Sequence, residues 1–384
     1  MARRALIVGA GIGGLSAAIA LQRAGWEVSV FERSPLLREL GFGVGLAPNA
    51  IVALRELGVG DTVVARGFEP TRAELRRMNG TVLKRAEVPR GILGGPFVVA
   101  LRPALHGALL DAVGLDAVAA GAEATHFTAA GSRVAVHFAD GRIAEGDVLV
   151  GADGVASVIR RQLHPAEGPP RSSRIVAVRG AVHGVLHHCG GLHAIYYLGP
   201  GVESAFIRAS DTGIYWFVSI ARELVPSGMT DPRALVAHVA PRFDVTFRAI
   251  SSATEDLRYD ELLDRDPLPF WGTDMVTLLG DAAHPLLPHT GQGAAQAIVD
   301  AVALAKHLAG DISVQTGLRR YEEARRPKTA ALVGQGRRTA RIMRMQNPLA
   351  CSAREAVLRM APIKAFMKFY VRVNRRAGTD VTSA

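Results

Sequence analysis

Apolar and polar positions alternate along the chain in two distinct ways. Ala5 to Val8 is a short apolar run that reads as a buried strand, followed by a glycine turn and a helix from about Gly13 to Ala24, which Gly25 ends. Glu27 to Glu32 is a second strand carrying Val28, Val30 and Phe31, so the chain opens with a β-α-β unit whose connection should be right-handed. The stretch from Gly41 to Asn49 is glycine-rich and uncharged, which predicts close approach to something large before a helix starting near Pro48. From Thr71 to Val99 the alternation is irregular, with turn signals at Asn79-Gly80 and Gly94-Gly95-Pro96, as expected of strands that leave the first layer.

Helical spacing returns over Leu101 to Val113, and Arg133 to Phe138 with Asp140-Gly141 reads as one arm of a hairpin. Val148 to Val150 is a short strand running into Gly151-Ala152-Asp153-Gly154, and a proline-rich linker covers His164 to Pro170. Ala194 to Leu198, Ser204 to Ile207 and Ile214 to Ile220 then suggest a separate sheet. Met275 to Leu279 is again a buried strand, before Gly280-Asp281, and a long helix spans about Gly293 to Leu308. Basic helical sequence continues to the end.

With 384 residues, 49% of them hydrophobic, a sizeable core is feasible. The 41 glycines follow no period, which excludes collagen-like and repeat readings. Cys189 and Cys351 are far apart and lack neighbours at metal-ligand spacing, so no disulfide scaffold and no metal site is expected. Arg3 and Arg4 before the uncharged run Ala5 to Leu21 imitate a secretory signal. Gly9, Gly11, Gly13 and Gly14 would each weaken such a helix by about 1 kcal/mol, whereas a strand-turn-helix uses them. No stretch is long and apolar enough to span a bilayer, and the expectation is a cytoplasmic protein without an integral membrane segment.

The formal charge of +10 comes mainly from the C-terminal part, where Arg354, Arg359, Lys364, Lys368, Arg372, Arg375 and Arg376 flank an apolar face of Ile363, Phe366, Met367, Tyr370 and Val371. A terminal helix packed on the body is preferred to a membrane-surface helix. No nucleic-acid motif accompanies the charge, so nucleic acid is not an expected partner.

Gly9-x-Gly11-x-x-Gly14 follows a strand and opens a helix, and Glu32 ends the next strand. Gly9 permits the tight turn, Gly11 lets the backbone approach a pyrophosphate, Gly14 permits close helix packing, and Glu32 can accept hydrogen bonds from a ribose. A dinucleotide site is the better reading than an empty turn, and NAD, NADP and FAD all use this fingerprint. Further segments narrow the choice: Gly41-Phe42-Gly43-Val44-Gly45-Leu46-Ala47-Pro48-Asn49, Arg102 in Leu101-Arg102-Pro103-Ala104-Leu105, Gly151-Ala152-Asp153-Gly154, Gly280-Asp281-Ala282-Ala283-His284, Pro288-x-x-Gly291-Gln292-Gly293, and Tyr321-Glu322-x-x-Arg325.

With these segments in this order, the chain resembles the FAD-dependent aromatic hydroxylase family, the single-component flavoprotein monooxygenases that include salicylate and para-hydroxybenzoate hydroxylases. The resemblance covers residues 1 to about 330. It implies an α/β fold: a Rossmann-type FAD-binding domain (1–70, 100–172 and 267–345), an inserted β-rich substrate domain (71–99 and 173–266), and a C-terminal helical, basic segment (346–384). The cofactor set is Gly9, Gly11, Ile12, Gly13, Gly14, Glu32, Arg33, Gly43, Val44, Arg102, Asp153, Gly154, Gly280, Asp281, Pro288, Gly291, Gln292, Gly293 and Ala294. Within it the resemblance implies that Asp281 bonds the ribityl chain, that Arg102 lies near the ribityl-pyrophosphate region, and that Asp153-Gly154 assists both FAD and the nicotinamide cofactor.

One fingerprint leaves no second Rossmann domain, and the family's transient surface binding of NADH or NADPH accounts for that. Reduction of FAD, reaction with dioxygen to a C4a-hydroperoxide, and transfer of one oxygen to an electron-rich ring or alkene are then the implied chemistry. On the residues themselves, Gly291 to Gly293 opens a helix whose amides would face the flavin pyrimidine edge.

Tyr215 in Tyr215-Trp216 can orient or deprotonate a phenol, or simply pack. His289 can shuttle a proton or bond a loop carbonyl, while His284 is expected to hold its loop. Arg179 and Arg208 are candidates for a substrate carboxylate. The family's aromatic residue before Arg-Gly is Val178 here, a departure that weakens any close substrate analogy.

The first expectation is therefore an NAD(P)H-dependent monooxygenase for a small aromatic or polyketide-like substrate, working as a monomer or homodimer. A flavin-dependent reductase, a halogenase or a non-catalytic flavin-binding regulator are the alternatives. The halogenase lacks its usual Trp-x-Trp-x-Ile-Pro segment, since Trp26, Trp216 and Trp271 are widely separated.

Overall fold

The computed structural model describes residues 3–37, 42–90 and 94–362. Gly41 and the apolar face from Ile363 to Val371 lie outside the described residues. The β-α-β opening is realised as the strand Arg4–Val8, the helix Ile12–Arg23 and the strand Glu27–Glu32. These strands pair in parallel with each other, and the sheet extends to Val118–Ala120 on one side and to Val148–Gly151 and Val276–Leu278 on the other. Five parallel strands buried on both faces explain the short, uninterrupted apolar runs read from the sequence. A three-stranded antiparallel meander, Ala124–Ala130, Arg133–Phe138 and Ile143–Gly146, follows the outermost strand.

The predicted separate sheet has seven strands, in the order Leu257–Asp264, Arg171–His183, Gly213–Ala221, Val202–Arg208, Ala194–Gly199, Arg72–Arg77 and Val82–Glu87. The irregular region after Thr71 thus supplies its last two strands. Val98–Leu101, in contrast, turns back and pairs with Gly43–Leu46 of the glycine-rich loop.

Two helices inside the β-rich region, Pro232–Val239 and Val245–Ser252, were not anticipated. Asp231 and Asp244 cap them by accepting from Ala234 N–H and Phe247 N–H, and Pro232 at the first helical position needs no hydrogen-bond acceptor. Such Asp-initiated helices of eight residues are short enough to be lost among the neighbouring β-rich runs. They bury Leu235, Val236, Phe247 and Ile250 against one face of the large sheet.

The helix Gly293–Leu308 lies against Ile12–Arg23, and a 30-residue helix, Val314–Met343, covers it. Pro348–Met360 forms the last described helix. No described helix is long and apolar enough to cross a membrane.

Candidate functional site

The first glycine turn is shaped by three different demands. Gly9 has φ +105° and donates its N–H to Phe31 O at 2.8 Å. A β-carbon at Gly14 would run into the carbonyl of Gly9, and one at Gly13 would lie 2.9 Å from Leu279 and 3.2 Å from Ala297. These glycines let the helix sit directly on the turn and on its neighbour. Gly11 is different: its φ of −72° suits any residue, and a β-carbon there would meet nothing within 4 Å. Neither backbone nor packing asks for glycine at Gly11, and what it preserves is open space above the start of a helix.

The Glu32 carboxylate accepts from the N–H groups of Ala10 and Ser34, both at 2.9 Å, so it fixes the turn while keeping lone pairs for further donors. His106, buried in the helix Arg102–Val113, donates from Nε2 to Ala10 O at 2.8 Å. It was missed in the sequence, where only its place one turn after Arg102 marks it. Ile12 buries its side chain in the core, so what it can offer a ligand is its backbone N–H. Arg33 is exposed beside Glu32.

The second turn is held by a buried polar network. Gly280, at φ +61°, donates its N–H to Asp300 Oδ2 at 3.2 Å, and the same carboxylate contacts His284 Nε2 at 2.5 Å and Arg325 Nε at 2.6 Å. Burial alone would raise the Asp300 carboxyl, but the adjoining His284 and Arg325 prevail and hold it below the ordinary carboxylate range. Arg325 also donates to Gln296, and buried Arg160 donates to Ala282 O and Ala283 O, each at 2.9 Å. The loop-holding role expected of His284 is what this geometry gives it. Gln296 and Asp300, four residues apart in an otherwise apolar stretch of helix, are the sequence signal that could have revealed the network.

Asp281 itself is exposed, and a β-carbon on Gly293 would lie 3.9 Å from its Oδ1, so this carboxylate stands at the start of the helix Gly293–Leu308. Pro288 and Gly291, φ +63°, shape the entry to that helix, Gln292 is buried, and Ala294 is half-buried. A third turn brings Asp153 and Gly154, φ +78°, up to Gly9, whose neighbours include the backbone of Ala152 and Asp153. Asp153 Oδ2 accepts from Val158 N–H at 2.7 Å, while Oδ1 is buried without a partner, and burial pushes the carboxyl above its usual range.

The glycine-rich loop meets the large sheet at Gly43, where a β-carbon would collide with the ring of Tyr215. Val44 is buried beside it, and Arg102 N–H donates to Phe42 O at 3.3 Å. Burial raises the Tyr215 phenol, while the nearby guanidinium groups of Arg179 and Arg102 pull in the opposite direction.

Strand register arranges this face of the sheet in three rows. Leu198, Glu203, Ser219, Ala177 and Asp260 form the first, Tyr196, Ala205, Phe217, Arg179 and Arg258 the second, and Ala194, Ile207, Tyr215 and Ala181 the third. Alanines make a low floor between aromatic walls, with Tyr215 and Phe217 ring centroids 6.2 Å apart. Tyr196 keeps 38% of its surface and borders open space. Arg179 pairs with Asp260 at 3.3 Å. Arg208 bonds Ser210 O and Asp211 O and stacks on Phe68 at 4.1 Å, so of the two arginines Arg179 is the one that shares the face of Tyr215.

His289 donates from Nδ1 to Glu203 Oε1 at 2.7 Å, joining the second glycine turn to the first row of the sheet. Glu203 was not anticipated from the sequence, because a single acidic residue in a strand gives no sign of which loop will cover it.

The residues present fit a bound dinucleotide. Helices starting at Val158, Pro232, Val245, Val314 and Pro348 have side-chain caps, whereas those starting at Gly60, Ile12, Pro48, Arg102 and Gly293 have none. The last four all begin at the glycine turns or the loop that pairs with them, leaving amide donors and positive helix ends for an anion. Asp153 Oδ1, Thr290 Oγ1 and both side-chain amide atoms of Asn49 are buried without partners in the same segments, as expected of groups that await a polar ligand.

A family model described as FAD binding domain matches residues 3–335. The chain is 33% identical over 365 residues to aurachin C monooxygenase/isomerase of Stigmatella aurantiaca, covering 92% of this chain and 93% of the relative. It is 34% identical over 343 residues to 3-hydroxybenzoate 6-hydroxylase 1 of Aquipseudomonas alcaligenes, covering 85% of each. Among solved structures, Klebsiella pneumoniae HpxO complexed with FAD and uric acid superposes with a TM-score of 0.90 at 26% identity, covering 97% of each chain.

Proposed function

Because the chain belongs to the FAD-dependent aromatic hydroxylase family and its cofactor is FAD, we propose that this flavoprotein monooxygenase uses NADH or NADPH and dioxygen to hydroxylate or epoxidise a small aromatic or polyketide-like molecule. The observation that carries the reading is the meeting at Gly43 and Tyr215. There the glycine turns, with their uncapped helices, open onto a sheet face floored by alanines and walled by aromatic and ionisable side chains. The relative named for 3-hydroxybenzoate supports an aromatic substrate.

FAD, when bound, supplies the ring that accepts electrons from the nicotinamide cofactor and at which dioxygen becomes reactive. Everything else is the work of this chain. Gly9 to Gly14 and the helix start would receive the pyrophosphate, Glu32 would accept from the adenosine ribose while holding the turn, and Arg102 would help to hold the ribityl-pyrophosphate region. Asp281 would accept from the ribityl hydroxyls, and the amides of Gly291 to Gly293 would stabilise negative charge on the flavin ring. Asp153 and Gly154 serve both cofactors. The parallel sheet and its helices form the cofactor domain, and the seven-stranded sheet forms the substrate domain.

Asp281→Ala is expected to purify with less FAD than wild type and to regain it only at higher added cofactor, measured by flavin absorbance after gel filtration. Full occupancy in that variant would remove Asp281 from the site. The reaction class is tested by reducing the holoenzyme anaerobically with NAD(P)H, admitting dioxygen and analysing product. Hydroxylated product in proportion to NAD(P)H consumed is expected; consumption without oxygenated product points to a reductase, and no consumption with any aromatic compound points to a regulator.

A further inference from the structure

We propose that Asp260 determines specificity: by pairing with Arg179 it withholds from ligands the guanidinium that shares the face of Tyr215, so the site takes an uncharged aromatic ring and rejects rings that bear a carboxylate. The inference rests on the hydroxylase reading above and narrows its substrate class.

Strand register sets up the pair. On the neighbouring strands Arg171–His183 and Leu257–Asp264, Arg179 lies directly opposite Arg258, and Ala177 lies opposite Asp260. Like charges directly opposite one another repel, and Asp260, on the same face and diagonal to Arg179, offsets both. Its Oδ1 accepts from Arg258 Nε at 2.8 Å. Oδ2 is buried, makes no hydrogen bond, and faces Arg179 Nη1 at 3.3 Å. A ligand carboxylate drawn to Arg179 would therefore meet Asp260 at close range, and taking its place would leave Oδ2 buried without the charge it faces.

Among the described residues, the neighbours of the pair give a carboxylate no better anchor. Arg208 is spent on Ser210 O and Asp211 O and stacks on Phe68, and Arg102 belongs to the cofactor in the reading above. A second acid, Glu203, stands at the other end of the row that holds Asp260, with Ser219 and Ala177 between them. A ring lying along that row has a carboxylate at either end. Burial raises the Tyr215 phenol most; of the charges around it, Arg179 and Arg102 act downward and Asp260 acts upward, so at this phenol Asp260 opposes the field of Arg179.

The result is a difference of affinities obtained by repulsion rather than by a new contact. An uncharged ring keeps the aromatic walls of Tyr196 and Phe217 beside the low floor of Ala205. A ring carboxylate keeps them too, but its own desolvation adds a cost that Arg179, already engaged, does not offset.

The test uses FAD-saturated holoenzyme at neutral pH and matched ligands, hydroxybenzoates and aminobenzoates against the corresponding benzamides, which keep the ring and remove the charge. Binding is read from the change in flavin absorbance, and oxidation from product. Wild type should bind each amide about tenfold more tightly than its acid. Asp260→Asn keeps the shape of the side chain, and its amide-to-acid ratio should fall by about tenfold as Arg179 is released; adding Arg179→Gln should restore the wild-type ratio. A purely structural Asp260 would weaken both ligands together and leave the ratio alone. Acids bound as tightly as amides by the wild-type protein overturn the proposal, whether or not Asp260→Asn folds. So does an unchanged ratio in the folded variant, or a shift that Arg179→Gln does not reverse. If no aromatic compound is bound or oxidised, the hydroxylase reading fails and the selection with it, whereas efficient oxidation of the acids by wild type removes the selection alone.

Discussion

Trp216 and Tyr215 are adjacent in one strand and face opposite ways. Trp216 is fully buried, donates from Nε1 to Thr254 Oγ1 at 2.8 Å, and packs with Phe206 and Phe247 beneath the two short helices. Tyr215 faces the glycine-rich loop at Gly43, beside Ala181 and Arg179. One face of the seven-stranded sheet is therefore a stabilising core, and the other is the face on which we propose that the substrate sits. The same alternation of side chains that makes a strand amphipathic here separates folding from chemistry.

Truncation separates the two faces most sharply. Trp216→Ala should lose about 3–5 kcal/mol, as for a large aromatic side chain removed from a filled core. Tyr196→Ala, opposite a low alanine floor, should cost well under half of that, because its side chain already borders open space. Thermal or denaturant unfolding of the two variants checks the comparison, and equal losses would mean that the open face is a core too.

The next largest effect concerns how the sheet is tied to the long helix. Asp264 is 1% exposed, and Arg171 from the neighbouring strand and Arg337 from the helix Val314–Met343 each approach its oxygens at 3.0 Å. Burial works against its ionised form, but the two guanidinium groups outweigh it and hold the carboxyl below the usual range. A depressed folded-state pKa contributes stability that is present above the unfolded value of about 3.9 and is lost as pH falls through the folded one. Asp264→Asn should therefore cost about 3 kcal/mol at neutral pH, the low end for a buried pair because Arg171 is half exposed. The gap from wild type should narrow as pH falls below the unfolded-state value and close only once it has passed the lowered folded-state one, and a gap unchanged in acid would assign the loss to shape rather than charge.

How much of this was legible beforehand depends on the range of the interactions involved. The β-α-β opening, the strand before Gly280 and the helix after Gly293 are written in local periodicity and glycine placement. The open face was half legible: Tyr215 stood out, but Tyr196, Phe217 and Ala205 become one floor only through the register of three strands. Glu203 and His289 are 86 positions apart, and neither carries a mark of the other. Asp231 and Asp244 are ordinary N-caps, legible in principle, yet the apolar residues between them were overshadowed by the surrounding strands.

The smallest predicted effect on folding is the most informative about the cofactor. Gly14→Ala places a β-carbon against the carbonyl of Gly9, so the turn must open, and the protein should lose stability whether or not cofactor is present. Gly11→Ala meets no protein atom and no backbone strain, so without cofactor it should melt within about 0.5 kcal/mol of wild type, or slightly higher because alanine restricts the unfolded chain. Added FAD should separate them, since the new methyl occupies the approach to the pyrophosphate. A weakening of about tenfold in affinity corresponds to about 1.4 kcal/mol, so the thermal shift that saturating FAD gives the wild-type protein should shrink in Gly11→Ala at equal cofactor concentration. An undiminished shift would leave the open space above Gly11 without an occupant, and the pyrophosphate would have to lie elsewhere along the turn.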